Sequence, residues 1–188
     1  IGAYHILHGV DLMVPEGEVT MLLGRNGAGK STTLRTIMGL WAASKGSVHF
    51  KGRPIGGPGG QAETPAIAQL GVAYVPESMG IFSDLTVRDN MLLAARAARD
   101  VAALDKGRLD WIFSLFPALH KFWLYPAGKL RGGQKQMLAV ARAIVEPRSL
   151  ILIEDIDAFF VARDKQDNRI EVSFSGLLNA IDGVAAQE

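Results

Sequence analysis

The chain has 188 residues, enough for one domain with a sizeable core, and no cysteine, which excludes disulfides, thiolate metal sites and thiol nucleophiles. Twenty Lys and Arg against nineteen Asp and Glu leave a formal charge of +1, too even a balance for the basic footprint of a nucleic-acid-binding protein. At 48% apolar and 21% charged residues the composition is that of a folded globular chain, and no apolar run approaches the ~20 residues of a membrane span. The sequence starts at Ile1 rather than Met, as a trimmed or excised segment would, and residues 1–10 lack the basic-then-apolar order of a secretory signal.

Val10–Val14 and Val19–Leu23 are short apolar runs joined by PEGE, which predicts a hairpin-like strand pair leading into Gly24. SVHF at Ser47–Phe50 predicts another strand. The following GRPIGGPGG, Gly52–Gly60, holds five Gly and two Pro and reads as a loop. LGVAYV at Leu70–Val75 predicts a strand ended by Pro76. From Thr86 to Phe116 the pattern is helical, with Asp84 or Thr86 as the cap and WIFSLF as a second segment stopping before Pro117. A third helix runs from Gly133 to near Pro147. SLILI at Ser149–Ile153 has the aliphatic run of a strand buried on both faces.

Beyond Ile153 the composition shifts. Residues 154–188 carry eight acids and three bases, a net of −5, which leaves +6 on the remainder. Phe174, Leu177, Leu178, Ile181 and Val184 recur at helical spacing after Ser173 or Ser175, either of which can cap the helix.

Gly24-Arg25-Asn26-Gly27-Ala28-Gly29-Lys30-Ser31 fits GxxxxGK[ST] between a predicted strand and a predicted helix. Glycines let the backbone curl so that successive N–H groups converge on phosphate oxygens, and the free N–H groups of the following helix, including that of Thr32, add to them. Lys30 then reaches the outer phosphates and the Ser31 hydroxyl ligates Mg²⁺. Glu154 and Asp155, at the end of the aliphatic strand, supply the two carboxylates such a site uses: one on Mg²⁺ through water, one to polarise the attacking water.

With these residues in view, positions 1 to about 148 resemble the ATP-binding subunit of bacterial ABC transporters, the branched-chain amino acid importers in particular. The matching segments are GRNGAGKSTTLRTIMGL, VAYVPE, IFSDLTVRDNMLLAA and LFPALHKFWLYPAGKLRGGQKQMLAVARAIVEPR. The resemblance implies an α/β P-loop NTPase: a three-layer αβα fold with a mainly parallel central sheet, a small N-terminal antiparallel β part and an inserted helical subdomain at about 85–130. Residues 149–188 are instead similar to a mitochondrial AAA ATPase of the Rieske-protein translocase type, through the Glu154-Asp155 order and FSGLLNAIDG. The chain then reads as a splice of two P-loop ATPases near residues 146–151.

The resemblance also assigns roles. Glu77 stands at the Q-loop position, where it can ligate Mg²⁺ and sits among the catalytic carboxylates. Tyr4 is the aromatic nearest the place where adenine is stacked, with packing on the core as the other reading. Arg131, Gly132, Gly133 and Gln134 occupy the signature segment that meets the nucleotide of a second copy. There Arg131 replaces a small hydroxyl, and its cation can crowd that nucleotide, pair with its phosphates, or stand exposed with no role. In both families a further strand, with the remaining switch and sensor residues, lies beyond Glu188. Implied partners are ATP, Mg²⁺, a second copy and a membrane permease, at the cytoplasmic face of the inner membrane. Turnover stays open between a weak ATPase and a non-catalytic nucleotide-binding scaffold.

Overall fold

The structure, a computed structural model, describes residues 7–95 and 104–155. Contacts divide the chain into two units, Ile1–Val72 and Ala73–Glu188. The expected Phe174–Val184 helix, and Tyr4, lie outside the described residues.

In the first unit, helix α1 spans Lys30–Ile37 and stops at a glycine. Gly39 takes φ 71°, donates to Thr36 O at 3.1 Å, and is followed by Leu40 donating to Arg35 O at 2.9 Å. That pair of bonds satisfies the last carbonyls of the helix and needs a left-handed residue after the cap. Any side chain there would also meet Ala62 O at 2.5 Å.

Strands β1 (Val48–Phe50) and β2 (Arg53–Gly56) pair antiparallel, Phe50 opposite Arg53. The connection is Lys51-Gly52 at φ 48° and 73°, two successive left-handed residues, as a tight hairpin turn requires. The Gly52–Gly60 stretch is therefore half strand, not all loop. Its Ile55 is buried, and Pro54 is tolerated because the ribbon consists of edges only. Helix α2 (Thr64–Gln69), which the sequence reading does not predict, carries Pro at its start and buries Ile67 completely.

The strand pair expected at Val10–Val14 and Val19–Leu23 does not form; only the turn at Glu16-Gly17 does, with Gly17 at φ 75°. Two short runs alone make a ribbon that is marginal in water. Among the described residues their apolar side chains stay only partly covered, Met13 and Leu23 being 82% and 81% exposed.

Strand β3 (Val72–Val75), which lies in the second unit from Ala73 on, and strand β4 (Leu150–Ile153) are neighbours. The Glu154 N–H donates to Val75 O at 2.9 Å, so the two carboxyl ends lie together and the strands run parallel. Only Leu152 of β4 is fully buried, so the expectation of burial on both faces is corrected: among the described residues β3 is the sole neighbour.

Between these strands come α3 (Val87–Ala94), α4 (Lys106–Leu115), α5 (Pro117–Lys121), a 3₁₀ turn at Ala127–Lys129 and α6 (Gly132–Ile144). Thr86 caps α3 and Asp105 caps α4, each accepting from a first-turn N–H. Phe116, before Pro117, is barred from the helical region and sits at φ −128°, ψ 70°. Pro117 then opens a new helix rather than merely ending one. Val87, Met91, Ile112, Phe116, Leu119, Leu138, Val140 and Ile144 form one core, each contributing about 1.5–3 kcal/mol for the larger side chains.

Candidate functional site

The phosphate loop is built by local bonds. Ala28 N–H donates to Arg25 O at 3.0 Å, closing a turn, and Thr33 donates twice to Gly29 O, from N–H at 2.9 Å and from Oγ1 at 3.0 Å. Gly27 and Gly29 take φ 86° and 91°, which L side chains resist. Gly24 is needed for space instead: a Cβ there would come 3.0 Å from the Ala28 methyl.

Gly29 is the N-cap of α1 and offers no side-chain acceptor, and no acid stands in the first turn. The leading N–H groups of Lys30, Ser31 and Thr32 therefore keep the anion preference of a helix start. Lys30 Nζ donates to Gly24 O at 2.6 Å and Arg25 O at 3.2 Å. Two of its three N–H bonds hold the charge against the loop, and the third remains for a further acceptor. Asn26 is exposed at the turn.

In the second unit, Glu154 is buried at 6% exposure where β4 ends. Its Oε1 accepts from the Tyr74 hydroxyl at 2.5 Å and its Oε2 from the Glu77 N–H at 3.4 Å. Asp155 follows, exposed and at φ 54°. The structure thus brings Glu77 and Glu154 together through a backbone bond, while the Glu77 side chain is exposed. Tyr74 is a contact the sequence reading missed; an aromatic in a strand carries no mark of a partner eighty residues on.

The signature residues open α6. Arg131 is its N-cap at φ −72°, ψ 160°, and its N–H donates to Gln134 Oε1 at 3.0 Å. This is one half of a capping box. The other half needs an acceptor on the cap residue, and a guanidinium has none. Among the described residues a Cβ added at Gly132 or Gly133 meets nothing within 4 Å, so packing against them does not demand these glycines.

Each unit carries a hard oxygen of the kind that suits Mg²⁺, the Ser31 hydroxyl in the first and the Glu154 carboxylate in the second, and among the described residues no cluster of three or more His, Asp or Glu could hold a metal alone. Mg²⁺ in such sites takes one or two protein oxygens and fills its shell with phosphate and water.

The family profile described as "ABC transporter" matches residues 7–156, which carries the likeness through β4 and both carboxylates. A "Probable branched-chain amino acid transport ATP-binding protein" of Archaeoglobus fulgidus is 35% identical over 80% of this chain and 61% of its own length. The "High-affinity branched-chain amino acid transport ATP-binding protein" of Pseudomonas aeruginosa is 34% identical over 82% of this chain and 64% of its own. The chain thus spans about three fifths of these relatives. A nucleotide-free ATP-binding cassette from an ABC transporter superposes at a TM-score of 0.65 and 22% identity, covering 100% of this chain and 74% of that one, a likeness that bears on the fold alone. The fold is that of the P-loop NTPases, mixed α/β with a parallel sheet, and the chain belongs to the ATP-binding domains of the ABC transporter family.

Proposed function

We propose that the chain binds Mg-ATP and hydrolyses it slowly, as the ATP-binding part of an importer of the amino-acid type. The observation that carries this reading is the phosphate loop: two left-handed glycines, a curled backbone, an uncapped helix start and an ammonium held against them. Catalysis here is positioning and charge neutralisation. Lys30 and the N–H groups of residues 27–32 bind the phosphate tail. Ser31 and Glu154 would hold Mg²⁺, with Glu77 as a further oxygen, and the ion when bound would supply charge neutralisation of the phosphates. Asp155 orients the attacking water. Tyr4 is assigned to adenine.

Arg131, Gly132, Gly133 and Gln134 would meet the nucleotide of a second copy, and a membrane permease would complete the assembly at the cytoplasmic face of the inner membrane. That the two relatives are named for branched-chain amino acid transport supports an amino-acid cargo. In domain terms, residues 1–148 are the ABC-type region, with its helical subdomain at about 85–130. The finer reading of 149–188 as an AAA-like completion spliced onto it rests on Glu154-Asp155 and FSGLLNAIDG.

Phosphate release at saturating ATP, compared with Lys30→Ala, tests the reading; equal rates refute hydrolysis. A second reading, a nucleotide-binding scaffold without turnover, is favoured by Arg131 in place of a capping hydroxyl. It expects a fluorescent ATP analogue to bind, to be lost on Lys30→Ala, and turnover to stay at background.

A further inference from the structure

Between Trp111 and Val145 the sequence holds five Lys and Arg and no Asp or Glu, although the whole chain is nearly neutral at +1. Lys121, Lys129 and Arg131 of this stretch line a cleft of about 550 Å³ within the second unit, together with Phe122, Tyr125 and Leu130. Among the described residues no carboxylate lines the cleft, and none of the three cations forms an ion pair. The Lys121 ammonium lies over the Phe122 ring, 5.6 Å from its centroid. The loop that carries these groups is fixed by its main chain. Trp123 O and Tyr125 O accept from the Arg88 and Val87 N–H groups at 2.9 and 3.0 Å, and Ala127 and Gly128 donate to Leu85 O and Ser83 O at 2.8 Å each. Yet this well-held loop leaves Leu124 and Tyr125 67% and 45% exposed.

A lone exposed leucine is ordinary on any protein. A leucine and a tyrosine held out of the core in a loop whose cations have no acid to pair with match one environment closely. At an anionic bilayer surface, amphipathic rings and aliphatic side chains settle at the headgroup level while ammonium and guanidinium groups meet the phosphates. An acidic protein would satisfy the cations, but the exposed leucine calls for an apolar medium beside the anions, and a bilayer interface supplies both. We propose that residues 121–131 dock on an anionic phospholipid bilayer, Leu124 and Tyr125 entering the interface and Lys121, Lys129 and Arg131 pairing with headgroup phosphates. This surface lies wholly in the second unit, and its role does not rest on the nucleotide reading.

Co-sedimentation of the whole chain, without nucleotide, is measured on vesicles of phosphatidylcholine alone and of phosphatidylcholine mixed with phosphatidylserine. Binding is expected on the mixed vesicles only, and it should weaken as salt rises. Lys121→Gln combined with Lys129→Gln should weaken it about 25-fold, about fivefold for each cation near an anionic leaflet. Leu124→Ser should weaken it about tenfold and, at an exposed position, leave thermal melting unchanged. Lys106→Gln, at the exposed start of α4 and outside the loop, is the charge control and should change binding by less than about twofold. Equal binding to both vesicles, a loss from Lys106→Gln as large as from Lys129→Gln, or no effect of Leu124→Ser overturns the proposal. So does a folded chain that sediments with neither vesicle. If immobilised poly-glutamate then retains it through the same two lysines, the surface serves an acidic protein instead.

Discussion

Most single substitutions destabilise a protein, yet Arg131→Ser is expected to do the reverse. Arg131 caps α6 in the extended conformation a serine prefers, but its side chain accepts no hydrogen bond, so only the Gln134 half of the capping box exists. A serine hydroxyl would take one of the orphan first-turn N–H groups, for about 1 kcal/mol. Removing a cation from the positive end of a helix adds about 0.3 kcal/mol, the low end of that range because the site is exposed. The sum, about 1.3 kcal/mol, corresponds to a rise in Tm of roughly 3–5 °C for a chain of this size. Urea unfolding followed by circular dichroism measures it, with Arg131→Ala as the control that removes the charge without supplying an acceptor. If serine is no more stabilising than alanine, the capping argument is wrong.

Asn90 is fully buried and joins the loop before α3 to the helix: its amide donates to Phe82 O at 2.9 Å and Thr86 O at 3.0 Å, and its oxygen accepts from Phe82 N–H at 2.9 Å. Asn90→Ala should cost about 3 kcal/mol, about 1 for each bond, in the same urea assay; a loss under 1 would show the loop is held otherwise. Asp89 has its carboxyl held below the usual value, first by the Thr86 hydroxyl at 2.6 Å, against some opposing burial, and further by Arg88. A depressed folded-state pKa stabilises fully above the unfolded value of about 3.9 and is lost as pH falls through the folded one. Asp89→Asn should therefore flatten the fall of stability below about pH 4, and parallel pH profiles would count against this bond.

What was legible in the sequence is what local physics decides. The phosphate loop, α1, β3 and α6 were readable because glycine placement, apolar spacing and caps act within a few residues. The Gly52–Gly60 stretch was not, because its strand depends on Lys51 adopting φ 48°, a conformation nothing in its side chain announces. Val10–Val14 and Val19–Leu23 show the opposite failure: their composition suits strands, but a strand is made by its neighbour, and none pairs with them among the described residues. The carboxylates at the end of β4 could be picked out from an aliphatic run and two acids. That Tyr74 and the Glu77 N–H hold the first of them could not, since strand pairing is a long-range choice.

Helix starts divide along a functional line. Among the described helices of eight residues or more, α3 and α4 begin with Thr86 and Asp105, whose side chains accept first-turn N–H bonds. The other two, α1 and α6, begin with Gly29 and Arg131, and neither has a side-chain cap. Each missing cap forgoes about 1 kcal/mol that a single substitution could restore, at least at Arg131, where the backbone already suits serine. Local stability gives no reason for this pattern, and the two exceptions are the two helix starts that carry the phosphate-loop and signature motifs. Donors that the chain does not satisfy itself keep the anion preference of a helix start, and that preference is the physical ground on which a phosphate role for these two ends is proposed.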